Sequence, residues 1–181
     1  MTLRHFLLIP VLAALNSACL FSVEANVPDV EITQRGVQIP GVPQASLLGD
    51  VSVSSSFTLS SDNTAWAKHM NSHVFLRQVT VAATDGVPDL AFIKYAHLTM
   101  SSPAAPGATT GATTELINYE RCDEAEPSSV IQVDMPTPID ITPIWSADQT
   151  VIDIAMAGQL PEEDWTVDVT LKVAGKITFK Y

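Results

Sequence analysis

The stretch Trp165–Tyr181 places the tightest constraint on what this chain can fold into. Trp165, Val167, Val169, Leu171 and Val173 alternate with Thr166, Asp168, Thr170 and Lys172, and Ile177, Phe179 and Tyr181 keep the same parity beyond Gly175. A period of two puts every apolar side chain on one face of a strand and every polar one on the other. The apolar face of such a sheet has to be covered by a second layer. A two-residue turn at Ala174-Gly175 would pair Leu171 with Thr178 and set the faces against each other; a three-residue loop or a bend at Gly175 keeps them matched. One straight strand would run to about 55 Å, which favours a bend.

Shorter pieces of the same signal fill the rest. Val51–Leu59 sets Val51, Val53, Phe57 and Leu59 against serines and a threonine, the mark of a half-buried strand. Val74–Ala83 is rich in β-branched residues and ends at an Asp85-Gly86 turn. Tyr95–Met100 reads as a strand, with Leu90, Phe92, Ala96, Leu98 and Met100 on one parity, while Asp89 could cap a helical turn over Leu90–Lys94. Glu115–Glu120, Val130–Met135 and Val151–Met156 are further strands, and Pro136, Pro138 and Pro143 are expected to break the chain after Met135. Ser60–Asn63 offers capping residues for one short helix over Thr64–His69. Ser101–Thr114 holds no residue large enough to pack and is expected as an exposed loop. With no βα alternation, these elements predict an all-β antiparallel two-sheet β-sandwich over residues 50–181, of Greek-key (immunoglobulin-like) or jelly-roll topology, with one short helix. Residues 19–49 carry Pro28, Gly36, Pro40, Gly41 and Pro43 and are expected to form a tether with an edge strand at Val30–Gln34.

At the other terminus, Arg4 and His5 precede the unbroken apolar run Phe6–Leu15. As a helix, ten residues rise only about 15 Å, half of a bilayer core, so residues 1–18 read as a signal peptide and not as a membrane span. Asn16-Ser17-Ala18-Cys19 resembles the lipobox of bacterial lipoproteins, although Asn16 stands where that family prefers Leu. The resemblance implies diacylation of Cys19, cleavage before it and further acylation of the new N-terminus. Leu20, not Asp, follows the cysteine, which in that family implies the outer membrane; without lipidation the product would be periplasmic or secreted. Two or more acyl chains give stable anchoring, at about 0.8 kcal/mol per buried methylene.

The full chain carries a formal charge of −11; without Arg4 the exported part has 8 basic and 20 acidic residues, or −12. Nucleic acid as a partner is disfavoured, because binding it needs a basic face. The acidity reads first as solubility and second as a capacity for cations. Cys19 and Cys122 are the two cysteines, so either Cys19 carries lipid or the pair forms a disulfide. Cys122 lies between acids (Glu120, Asp123, Glu124), which disfavours a nucleophilic thiolate.

Candidate sites are few. His69 and His73 have the helical i, i+4 spacing of a zinc motif, but Met70 replaces the general-base glutamate, leaving at most a divalent-metal pair. Asp123, Glu124 and Glu126, and separately Glu162, Glu163 and Asp164, lack the spacing that wraps one calcium ion. Trp165 has core parity; Trp145, in a proline-rich connection, is the tryptophan best placed for ligand contact, against a role closing one end of the sandwich. No nucleophile elbow, phosphate loop or dinucleotide fingerprint occurs, and no cofactor is implied. The expectation is therefore a lipid-anchored, non-enzymatic binding or structural module of the cell envelope. A carboxylate-based hydrolase or carbohydrate-active protein is the first alternative, and a divalent-metal-binding envelope protein the second.

Overall fold

The computed structural model describes residues 22–59, 72–103, 111–122, 127–145 and 149–180. Eight strands run in the order β1 (Ser22–Ile39), β2 (Val51–Leu59), β3 (Ser72–Asp85), β4 (Ile93–Ser101), β5 (Thr113–Glu120), β6 (Val130–Asp140), β7 (Thr150–Gly158) and β8 (Trp165–Lys180). Among the described residues, two four-residue helices join them, α1 (Ala45–Leu48) after β1 and α2 (Thr142–Trp145) after β6. The helix expected over Thr64–His69 lies outside the described residues.

The strands form two antiparallel four-stranded sheets, β1-β8-β3-β6 and β2-β7-β4-β5. Each sheet interleaves strands from the two halves of the chain, which is the jelly-roll solution to covering two apolar faces with each other. Of the two topologies left open by the sequence, this order selects the jelly roll.

The run that most constrained the fold occupies a central position in its sheet. β8 lies between β1 and β3 and continues through Gly175, which pairs with Val27 on one side and Val74 on the other. No hairpin forms there. Trp165, Val167, Val169, Leu171 and Val173 are buried in a core completed by Val79, Val81, Leu98, Met100, Ile152 and Ile154. Both neighbours of β8 carry β-bulges. On β1, Pro28 and Asp29 oppose Ala174, and Arg35 and Gly36 oppose Asp168. On β3 the extra residues are Arg77 and Thr84. Bulges raise local twist, so the flanking strands coil around β8 over its whole length. Gly36 adopts φ +62°, a conformation that costs a side-chain-bearing residue, and its N–H donates to Asp168 Oδ1 at 2.9 Å.

Two expectations are corrected. The stretch read as a tether is instead the 18-residue edge strand β1, from Ser22 onward, with Val30–Gln34 at its middle. Pro28 is tolerated because it falls in a bulge on a sheet edge, where no ladder N–H is needed. The strand expected to end at Met135 instead runs on to Asp140, tolerating an interrupted ladder for the same reason. β6 is the other edge of that sheet, and residues 135–138, with Pro136 and Pro138, fall between the paired positions Asp134 and Ile139. At Leu90–Ile93 the chain makes a turn fastened by the Ala91 N–H donating to Asp89 Oδ1, and Ile93 faces the core. Leu90, Phe92, Ala96, Leu98 and Met100 all lie in or against the core as their shared parity predicts, and Ile93 joins them from the other parity because the ladder slips between Ile93 and Tyr95.

Candidate functional site

His73 lies in β3, so a helix does not carry it, and the i, i+4 geometry that suggested a metal pair is not formed at this residue; His69 lies outside the described residues. His73 Nδ1 instead sits 3.6 Å from Asp140 Oδ2, and its ring stacks on Phe75. Asp140 Oδ1 accepts the Thr142 N–H at 2.9 Å and the Thr142 hydroxyl at 2.5 Å, while Thr142 Oγ1 accepts the Val74 N–H at 2.8 Å. Burial pushes the Asp140 carboxyl up, but the two Thr142 donors and the neighbouring His73 outweigh it and hold the group below its ordinary value of 3.8. The arrangement caps α2 and ties it to β3. Among the described residues, no three of His, Cys, Asp and Glu cluster as a metal site would require.

Of the two roles weighed for Trp145, the structure favours the closure of one end of the sandwich over ligand contact. Trp145 is completely buried, with Ile141 and Ile144 beside it, so its ring cannot stack on a ligand. Its backbone N–H donates to the Ile141 carbonyl at 2.9 Å, closing the turn of α2, and the helix closes one end of the sandwich. Trp165 meets the ring of Phe92 edge-on at 5.1 Å. Cys122 is exposed and unbridged, while Cys19, the lipid-attachment candidate, lies outside the described residues together with Asp123, Glu124 and Glu126. Glu162, Glu163 and Asp164 are exposed in the β7–β8 loop, where Asp164 Oδ1 accepts the Gly41 N–H at 2.9 Å.

The surfaces left for recognition come from register. On the outer face of the second sheet, cross-strand rows run Ser52–Ala157–Tyr95–Glu120, Ser54–Ala155–His97–Asn118, and Ser56–Asp153–Thr99–Glu115. Small residues on β2 and β7 make a low floor beside the taller Tyr95 and His97 of β4. Tyr95 is half exposed, and His97 Nε2 lies 3.1 Å from Glu115 Oε2. At the edge of this floor, between β1 and β2, a groove of about 500 Å3 is lined by Gln34, Gln38, Ser54, Ser55, Phe57 and Asp164 among others. The Ser55 hydroxyl bridges it at 2.6 Å to the Gln38 carbonyl. Its chemistry is hydrogen bonding, from hydroxyls, amides and one carboxylate. The sequence signals only half of it: Val51–Leu59 is visibly an uncharged serine-rich strand, but its meeting with Gln34–Pro40 is a product of the topology. Leu47 and Leu48, 80% and 63% exposed on α1, lie in the β1–β2 loop at the end of the sandwich opposite Ser22.

No family model matches the chain, and no curated protein matches it in sequence. Among solved structures, the decameric BFDV capsid protein is 11% identical over 87% of this chain and 99% of that one, with a TM-score of 0.37. The infectious bursal disease virus Gt strain is 8% identical over 88% and 33%, with a TM-score of 0.33. The semi-empty particle of the giant freshwater prawn Macrobrachium rosenbergii nodavirus is 10% identical over 88% and 96%, with a TM-score of 0.32. Likeness at this level carries nothing about function, and the jelly roll rests on the strand order of this chain itself.

Proposed function

We propose that this chain is an exported jelly-roll module held at the outer membrane of a bacterial envelope by lipid on Cys19, acting through binding or structural contact and not through catalysis. The reading rests on the apolar run Phe6–Leu15 followed by the lipobox-like Asn16-Ser17-Ala18-Cys19, three residues before Ser22, from which β1 is described. Three residues reach at most about 11 Å, so an acylated Cys19 would hold the sandwich against the headgroups with no tether between. The end bearing Ser22, Lys180 and Ser72 would face the bilayer, and the end bearing Ile39, α1 and Trp165 would face away. The binding reading is favoured because Asp140 is engaged in capping α2, while the open surfaces among the described residues offer hydroxyls and amides.

Intact-mass analysis of protein from the membrane fraction tests it. Acyl mass on Cys19, lost together with membrane association in Cys19→Ser, is the expected result. A species two hydrogens lighter that links Cys19 to Cys122, or an unmodified chain retaining residues 1–18, would overturn it.

A further inference from the structure

We infer that the free edge of β2 pairs with β2 of a second copy of this chain, antiparallel and centred on Ser55, merging two four-stranded sheets into one of eight. Among the described residues four strands end a sheet, β1, β6, β2 and β5, and three of them carry devices that discourage strand addition. β1 has Pro28, two bulges and the charges Asp29, Glu31 and Arg35. β6 has Pro136 and Pro138 within an interrupted ladder, and β5 has a bulge with Glu115 and Glu120. β2 has none of these. Its nine residues hold no charge and no proline, and it pairs with β7 over nine consecutive positions without a slip. A regular, uncharged edge of that length is a template for another strand.

The sequence of β2 points to itself as the occupant. Antiparallel pairing about Ser55 sets Val51 opposite Leu59, Val53 opposite Phe57, Ser52 opposite Thr58 and Ser54 opposite Ser56. On the inner face apolar residues meet apolar ones on either side of Ser55, whose hydroxyl is bonded to the Gln38 carbonyl, and on the outer face hydroxyls meet hydroxyls, as a stable cross-strand ladder requires. Val53 and Phe57 pack on the core yet are only partly covered, and Phe57 lines the open groove beside β1. A chain with a net charge of −11 repels its copy over most of its surface; β2 is an edge at which two copies meet without opposing charges. The inference does not depend on acylation of Cys19.

Sedimentation of the detergent-solubilised full chain tests it, with S54K/S56K as the disrupting variant. Both serines point outward, and a lysine at 56 lies beside Asp153, so the fold is retained and its thermal unfolding serves as the control. In the paired register each lysine meets a lysine of the other copy, and the dimer dissociation constant should rise about tenfold. In a Cys122→Ser background, Ser55→Cys should form an intermolecular disulfide, mapped by mass to the 55–55 linkage, because directly opposed residues have Cβ atoms about 5 Å apart. Thr58→Cys, which faces Ser52 of the other copy, should not. A monomer at all concentrations overturns the inference, whether the edge is covered by another part of this chain or by a different protein. So does a dimer indifferent to S54K/S56K in which Ser55→Cys fails to cross-link.

Discussion

Asp29 and Arg77 belong to strands that never pair, yet Asp29 Oδ1 lies 3.6 Å from Arg77 Nε. Each sits at a β-bulge, one on β1 and one on β3, and the two bulges flank β8 at the same level. Lys172 of β8 stands between them, its Nζ 3.7 Å from Asp29 Oδ2. A bulge leaves a residue out of the ladder and free to be aimed elsewhere. Here the displaced residues are aimed at each other across the intervening strand, which links three strands on the outer face of the sheet.

The contribution of this link to stability should be small. Both side chains are substantially exposed, and exposed ion pairs are worth about 0–1 kcal/mol. Arg77→Ala and Asp29→Ala should each lower unfolding free energy by about 0.5 kcal/mol at low salt, with a coupling energy that fades near 1 M salt. Urea denaturation of the double-mutant cycle measures it. A coupling that stays constant with salt would mean that packing, not charge, joins the two bulges.

Gly158 makes a sharper demand on the backbone. It ends β7 at φ +150°, and a Cβ there would lie 2.1 Å from the Phe92 carbonyl oxygen. The contact is with backbone at the slip between Ile93 and Tyr95, so no side chain can rotate away. Gly158→Ala should cost at least about 2 kcal/mol. Gly36→Ala, with open space around the added methyl group but φ +62°, should cost about 1 kcal/mol. Equal effects at the two sites would contradict this account.

Alternation revealed strands where it ran unbroken, as in Val51–Leu59 and Trp165–Val173, and failed wherever a bulge switched its phase. On β3 the buried residues are Val74 and Leu76 before Arg77 but Val79 and Val81 after it. On β1 the inward side changes from Ile32 to Val37 and Ile39 across Arg35-Gly36. One inserted residue flips every following side chain, so a face read by parity alone crosses to solvent at each bulge. Proline misled for a related reason. Pro28 and Pro136 break a central strand but not an edge one, and edge position is a property of the assembled sheet. The β1–β2 groove was illegible because its two walls come together only through the crossover that places β8 between β1 and β3.

The parity of β8 yields a direct contrast. Leu171→Ala empties a fully packed core position and should cost about 2–5 kcal/mol. Thr170, one residue earlier, faces outward and bonds Thr33 Oγ1 at 2.9 Å. Thr170→Ala removes one exposed hydrogen bond, worth about 1 kcal/mol or less. Thermal unfolding of the two variants decides between them, and comparable losses would place β8 in the wrong register.

Asp140 gives the fold a pH dependence with a definite sign. Its carboxyl is held below 3.8 because the ionised form accepts both Thr142 donors and lies beside His73. A group whose pKa is depressed on folding adds stability that is fully present above its unfolded value and is lost as pH falls through the folded one. Asp140→Asn keeps an acceptor for Thr142 but carries no charge to titrate. Near neutral pH the variant should therefore be the less stable protein, and the gap should close as the medium is acidified below 3.8. Urea midpoints measured for both proteins from neutral to strongly acidic pH follow that gap. Parallel curves would show that the Asp140 charge adds nothing to the cap of α2, leaving neutral hydrogen bonding to hold the end of the sandwich closed.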